Sequence, residues 1–389
     1  MTARIPRRRL VDAVAEAAFS EAVRLEASSS RLFVDQPRRL GGDAAGRLVV
    51  TGGDPQVASV RELAAEVAAP FAATLPARLL AQTCKALPEG VVEISQLGSG
   101  AIQLRCGTYR VEVVPSGRVP VTPQVPPQAW RRLSGDEGRR LAWAARAGAA
   151  AMLVDPTRPA QSGVRLDGDV AVGTDGARMH VAESVDLGRA VTIPAAAAAR
   201  LSEVVDAPEP AKPKKPKKGE PEPAPPPAPE VLVALGSQNL AAEVVDADGP
   251  RRVFLRLAPE PFFEWRLVAD SVGGSWSRLV VGRDALLGAV RGCPAPEVEL
   301  SLRPAALGLR FVVRDEAAGG RRAGAGELEV PGQLSGAPDV EVKVSTRYLR
   351  DALAGCGDEV ELSASAAQPL RFRSSSPRGL IRGLIMFSR

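Results

Sequence analysis

Residues 170–183 read VAVGTDGARMHVAE, two short runs of alternating side chains folded back on each other around Thr174-Asp175-Gly176. Alternation places Val170, Val172, Met179 and Val181 on one sheet face, and Asp175-Gly176 supplies the tight connection of a β-hairpin. Just upstream, Asp167 and Asp169 flank Gly168. Two carboxylates at that spacing suggest a cation site, but a β-turn explains them better.

Downstream of the hairpin, Ala190–Pro194 reads as a strand that opens a helix through Val205, followed by strands at Val231–Leu235, Leu240–Val245 and Arg252–Leu257. The same order occurs twice more. Thr74-Leu75-Pro76 enters a helix that ends near Leu87-Pro88, with Pro76 in the first turn, where its missing N–H costs nothing. Strands at Val91–Ser95, Ala101–Cys106 and Arg110–Val114 follow. The third copy runs from a Val340–Val344 strand through a Thr346–Ala354 helix to strands at Val360–Ser363, Leu370–Arg373 and Leu380–Phe387.

From Leu75 to Ile193 is 118 residues and from Ile193 to Val344 is 151, of which about 24 belong to an insertion, so the unit is near 120 residues. Each copy also has an earlier helix: Leu10–Leu25, a helix through about Arg146 opened by the capping box Ser134-Gly135-Asp136-Glu137, and Arg283–Cys293. Short strands are expected at Leu32–Val34, Arg47–Thr51 and Val57–Val67. The chain therefore reads as α+β, in three domains at 1–125, 126–273 and 274–389; three unrelated α+β domains are the alternative.

Composition is that of an ordinary globular protein, with 45% hydrophobic and 24% charged residues and a formal charge of +5 over 389 residues. Five of the seven lysines and ten of the 34 prolines fall in residues 207–229, inside the second module. That stretch is too poor in apolar residues to offset ordering entropy, and an exposed, extended, disordered loop is expected there. It reads either as a basic arm that grips DNA or a partner, or as a tolerated solvated insertion. Cys84, Cys106, Cys293 and Cys356 form no C-x-x-C pair, and with no signal peptide, reduced thiols in a cytoplasmic protein are expected. No apolar run reaches the ~20 residues of a membrane span.

Catalytic constellations are missing from the sequence. His180 is the single histidine, expected as a surface or rim side chain, and a hydrolase would have to rest on it. Neither a zinc spacing nor a phosphate-cradling glycine loop occurs, and no cofactor or metal is called for. Basic residues instead recur on the expected helices: Arg24 at the end of the first, then Arg78 and Lys85, Arg139, Arg140 and Arg146, Arg200, Arg283 and Arg291, and Arg347 and Arg350. Helices that face a phosphate backbone without reading bases need such cations. Arginine as the default surface cation of this chain is the alternative.

Thr74–Gly90 (TLPARLLAQTCKALPEG), the Val170–Glu183 hairpin, Phe262–Val268 (FFEWRLV), Val344–Leu353 (VSTRYLRDAL) and Leu384-Ile385-Met386 together resemble the bacterial beta sliding clamp family, the processivity rings of replicative DNA polymerase. The resemblance implies modules that each pair two β-α-β-β-β units, and a head-to-tail homodimer ring with helices inside and sheets outside. It also implies a non-enzymatic accessory subunit, cytoplasmic and nucleoid-associated, that encircles duplex DNA. Partners would be the replicative polymerase, clamp loader and repair proteins, bound as short peptides in a pocket that matches Thr174, Gly176, Arg178, Met179, Val268 and Met386, with Arg178 at its rim. Ala177, Phe263-Glu264-Trp265, Gln161 and the tail Met386-Phe387-Ser388-Arg389 depart from the family pattern, and the first 45 residues match poorly. A divergent member or paralogue with altered partner choice fits those departures, and a clamp-fold scaffold that binds peptides without encircling DNA is the alternative.

Overall fold

The structure is a computed structural model that describes residues 2–29, 46–117, 130–153, 155, 157, 162–205, 230–246, 249–258, 261–270, 276–315, 321–338, 340–365 and 368–386. The expected strand at Leu32–Val34, the 207–229 insertion, Gln161 and the last three residues lie outside them.

Among the described residues one order of ten elements, β-α-β-β-β-β-α-β-β-β, occurs three times. The first copy is β1 (Thr2–Pro6), α1 (Arg7–Ala17), β2 (Ala22–Ser28), β3 (Gly46–Gly53), β4 (Val57–Val67), β5 (Phe71–Pro76), α2 (Ala77–Ala86), β6 (Val91–Gln96), β7 (Ile102–Cys106) and β8 (Tyr109–Val113). The second is β9 (Trp130–Leu133), α3 (Gly135–Ala149), β10 (Gly163–Asp167), β11 (Val170–Thr174), β12 (Arg178–Glu183), β13 (Val191–Pro194), α4 (Ala195–Val205), β14 (Val231–Leu235), β15 (Asn239–Asp246) and β16 (Gly249–Arg256). A short helix α5 (Trp265–Asp270) precedes the third: β17 (Ser277–Gly282), α6 (Arg283–Gly292), β18 (Glu297–Arg303), β19 (Ala306–Asp315), β20 (Arg321–Ser335), β21 (Val340–Ser345), α7 (Thr346–Ala354), β22 (Glu359–Ser365), β23 (Gln368–Ser376) and β24 (Gly379–Ile385).

The helices form because each carries one apolar stripe at helical spacing. Leu10, Ala13, Val14 and Ala17 are buried on α1, and Thr346, Leu349, Ala352 and Leu353 on α7. In α3 the capping box is made as expected: the Ser134 N–H donates to Glu137 Oε2 at 2.8 Å, and the Glu137 N–H donates to Ser134 Oγ at 3.2 Å. The copies also share detail. Arg7, first in α1, donates from its backbone to Gly90 O and from Nη2 to Lys85 O, both at 2.9 Å. Arg283, first in α6, donates likewise to Asp358 O at 2.8 Å and Cys356 O at 3.5 Å. Each arginine thus meets carbonyls at or just beyond the end of the second helix of its copy, where partial negative charge gathers.

By contacts the chain divides into two compact units, residues 1–138 with 203–257, and residues 139–202 with 258–389. Each contains one 12-stranded sheet, and every described strand pairing is antiparallel. The first sheet runs β8-β7-β6-β1-β4-β16-β15-β14-β9 with β2, β3 and β5 branching from it, and the second runs β13-β10-β11-β12-β24-β23-β22-β17-β20-β19-β18-β21. This division cuts across the expected boundaries because strands of successive copies share a sheet. β4 pairs with β16 (Arg61 opposite Arg251), and β12 pairs with β24 (Arg178 opposite Ile385).

Buried charge ties the first of these seams. Arg252 Nη1 lies 2.9 Å from Glu62 Oε1 and also holds Glu243, Arg47 lies 3.7 Å from Glu62, and Arg251 meets Glu16 at 2.9 Å. Burial pushes the Glu62 carboxyl up to about 7, against the pull of Arg252 and Arg47.

Two sequence expectations are corrected here. The first helix ends at Ala17, not Leu25; Ser20 Oγ sits 2.9 Å from Ala17 O and 2.6 Å from Ala22 O in the turn that stops it. Val23 and Leu25 extend a helical stripe on paper, but with Ala27 they also alternate, and pairing of Ala22–Ala27 with Phe71–Pro76 decides for a strand. His180 is not at a surface or rim: it is 0% exposed. Alternation places the apolar side chains of β12 on one face, and the structure buries both faces from Arg178 to Ala182.

Candidate functional site

The 170–183 hairpin folds as its alternation requires, with Val172 opposite Val181 and Thr174 opposite Met179. Its turn is fixed by its own polar groups. Asp175 Oδ1 accepts from the backbone N–H of Ala177 and Arg178, both at 3.0 Å; the Thr174 hydroxyl donates to Arg178 O at 2.7 Å; and Gly176 takes φ +87°. The carboxylates upstream also belong to a turn: Asp167 pairs with Val170 across β10–β11 and Gly168 takes φ +61°.

Val172, Met179 and Val181 join Phe262, Trp265 and Leu384 in one buried cluster, with Val170, Phe263, Ala269 and Trp276 packed against it. Asp167 seats α5 on this cluster by accepting from Trp265 Nε1 at 3.1 Å and from Arg266 Nη1 at 2.6 Å. Burial alone would raise the Asp167 carboxyl, but those two hydrogen bonds and the charge of Arg266 hold it below the ordinary carboxylate value. Beside the cluster, Leu267 is 71% exposed, Val268 43% and Met386 47%. The Met386 N–H donates to Ala177 O at 2.8 Å.

Of the six expected pocket residues, Thr174, Gly176, Arg178 and Met179 share the hairpin, and Met386 is hydrogen-bonded to it. Val268 lies on α5, whose Trp265 shares the cluster with Met179. Arg178 is corrected from rim to interior. It is 5% exposed; Nε donates to Asp175 Oδ2 at 3.0 Å and Nη1 to Asp351 Oδ2 at 2.6 Å, while Cζ lies 4.3 Å over the Tyr348 ring. Asp351 and Tyr348 lie in the quoted Val344–Leu353 stretch, but their contact with Arg178 is not legible in the sequence because nothing local marks a contact across 173 residues. The cluster residues Phe262 and Trp265 enter the sequence reading only through the family comparison, Trp265 also as a departure from it.

The basic residues fall unevenly. Arg24 is not on a helix: it sits on β2, half-buried, 3.3 Å from Glu26. Arg78 and Lys85 on α2, Arg146 on α3, Arg291 on α6 and Arg347 and Arg350 on α7 are exposed, while Arg139 and Arg140 on α3 and Arg200 on α4 are half-buried. Arg283 lies 3.1 Å from Asp284, and Arg347 Nε 3.8 Å from Asp351. α1 packs on α2, α6 on α7, and Ser202 Oγ donates to Ala142 O at 2.7 Å between α4 and α3, so the cationic helices come in pairs. The sequence reading missed exposed Arg8, because it started α1 three residues late.

His180 offers no catalytic geometry. Nδ1 lies 3.0 Å from Ala147 O, the ring stacks edge-on to Phe372 at 5.2 Å, and Nε2 has no hydrogen-bond partner among the described residues. Burial drives its pKa down to about 4. Among the described residues no three metal-binding side chains gather, and no helix is long and apolar enough to cross a membrane.

This architecture is the sliding-clamp fold of bacterial DNA replication. Over its whole length the chain superposes on the DNA polymerase III beta subunit of Thermotoga maritima (TM-score 0.73, 14% identity, 100% of that chain). It is similarly close to the DNA polymerase sliding clamp of Bacillus subtilis (TM-score 0.74, 17% identity, 100% of this chain and 99% of that one). A Pseudomonas aeruginosa sliding clamp bound to griselimycin matches at TM-score 0.71 and 18% identity, with 100% of this chain and 99% of that one covered. No protein-family model and no curated protein matches the sequence.

Proposed function

We propose that the chain is a DNA sliding clamp: non-enzymatic, closed into a ring by a second copy, and holding peptide-bearing replication partners on duplex DNA. One observation carries the reading. Within the chain, the last strand of a copy pairs with the fourth strand of the copy before it, as β16 does with β4 and β24 with β12. The last strand of the first copy, β8, pairs only with β7 among the described strands, and the fourth strand of the third copy, β20, has only β19 beside residues 321–331. A head-to-tail partner supplies the missing junction by the same pairing, and an open strand edge of that length favours being filled. Paired helices with exposed arginines suit a bore that holds phosphates without reading bases. The apolar cluster with Leu267, Val268 and Met386 exposed beside it suits a hydrophobic peptide anchor.

Light scattering should give a dimer, and the protein should be retained on nicked circular DNA and lost when the circle is cut. A strict monomer with no retention would refute the proposal. Peptide binding without retention would select the scaffold reading instead.

A further inference from the structure

The hairpin brings one cation to the proposed peptide pocket, and the fold has already engaged it. Arg178 is held by Asp175 at 3.0 Å and Asp351 at 2.6 Å, and its Cζ lies 4.3 Å from the centre of the Tyr348 ring. Asp175 belongs to the turn itself, where its other oxygen holds two backbone N–H groups. Asp351 is different: it comes from α7, its side chain is 31% exposed, and it is 3.8 Å from the solvent-facing Arg347. Arg178, Asp175 and Asp351 together carry one net negative charge, which Arg347 offsets from the solvent side. Arg266, beside Trp265 on α5, is likewise held by Asp167 at 2.6 Å.

We propose that Asp351 sets the charge selectivity of the pocket: by holding Arg178, it makes the hairpin side indifferent to a partner's carboxylate, so that this surface selects peptides by apolar fit and not by charge. The proposal rests on the peptide-pocket reading above. Asp351 is a positioning residue here and touches no peptide. A buried guanidinium with two carboxylate partners has little field left for a third, and removing one partner restores it.

The test uses the full-length protein and two capped leucine-phenylalanine peptides that differ only by one Asp-for-Asn exchange, titrated by fluorescence anisotropy at low and high salt. The unaltered protein should bind both within about threefold. Asp351→Asn should prefer the Asp peptide by about tenfold, with the preference collapsing at high salt, and Asp351→Glu should restore indifference. Arg178→Gln, which leaves the carboxylates uncompensated, should reject the Asp peptide by a similar factor and serves if Asp351→Asn does not fold. Equal weakening of both peptides in Asp351→Asn would mean a purely structural role and overturn the proposal, as would a preference for the Asp peptide in the unaltered protein. Binding of neither peptide by the unaltered protein would bring down the pocket reading itself.

Discussion

Acidification should loosen β12 through a single side chain. In the folded protein His180 donates from Nδ1 to Ala147 O at 3.0 Å, so a second proton would go to Nε2, which has no partner among the described residues. Its environment is dry, and burial is the largest influence on it, ahead of the Ala147 O hydrogen bond, which raises its pKa, and of Arg178 against Asp351 and Asp175, which pull in opposite directions. Burial therefore dominates, and the pKa falls from 6.5 to about 4. A group whose folded pKa is depressed in this way favours the unfolded state as it protonates. The stability is fully present above pH 6.5, is lost as pH falls, and is gone below about 4. At pH 5 an unfolded histidine is about 97% protonated and the folded one about 10%, which costs about 2 kcal/mol relative to pH 7. Hydrogen exchange of peptides covering residues 170–183, corrected for intrinsic rates, should show protection falling roughly thirtyfold between pH 7 and 5. His180→Phe removes this titration, and the thirtyfold loss should be absent from it over that window. Any contribution from Glu62 is common to both proteins and cancels in the comparison. An equal pH response in the two would refute the reasoning.

Gly173→Ala should destabilise the same region by about 2–3 kcal/mol in urea titrations, since a β-carbon there would sit 1.9 Å from Gly148 O, a backbone atom of α3 that cannot swing aside. Arg252→Ala leaves Glu62 beside Glu243 with Arg47 at 3.7 Å and should cost about 3 kcal/mol at pH 8. Because Glu62 is poised near 7, that loss should shrink as pH is lowered to 6; a loss independent of pH would mean Arg252 acts by packing alone. Charge reversal of Arg347 with Arg350, or of Arg139 with Arg140, should weaken retention on DNA and flatten its salt dependence, and unchanged retention would take those residues off the DNA-facing surface. Met386→Ala should lower affinity for an apolar peptide by about 1 kcal/mol while leaving the dimer intact; loss of the dimer would mean the pocket is misplaced.

Signals confined to a few residues were legible from the start. The bounds of β4 and of α7, the Ser134–Glu137 capping box and the three-copy spacing agree with the structure, because propensity, capping and periodicity are properties of neighbours along the chain. Boundaries failed where two periodicities overlap, as at Val23 and Leu25, which satisfy a helix and a strand equally well until β5 pairs with them.

The sequence by itself therefore determined the type of the strongly periodic elements, the repeat and the identity of the hairpin, since local backbone preference and hydrophobic spacing are properties of neighbours along the chain. Tertiary structure alone decided that His180 is dry, that Arg178 belongs to Asp351 and not to a rim, and that successive copies share sheets at β4–β16 and β12–β24. Those facts depend on which distant side chains and strand edges meet, and no periodicity within a segment encodes what will cover its other face.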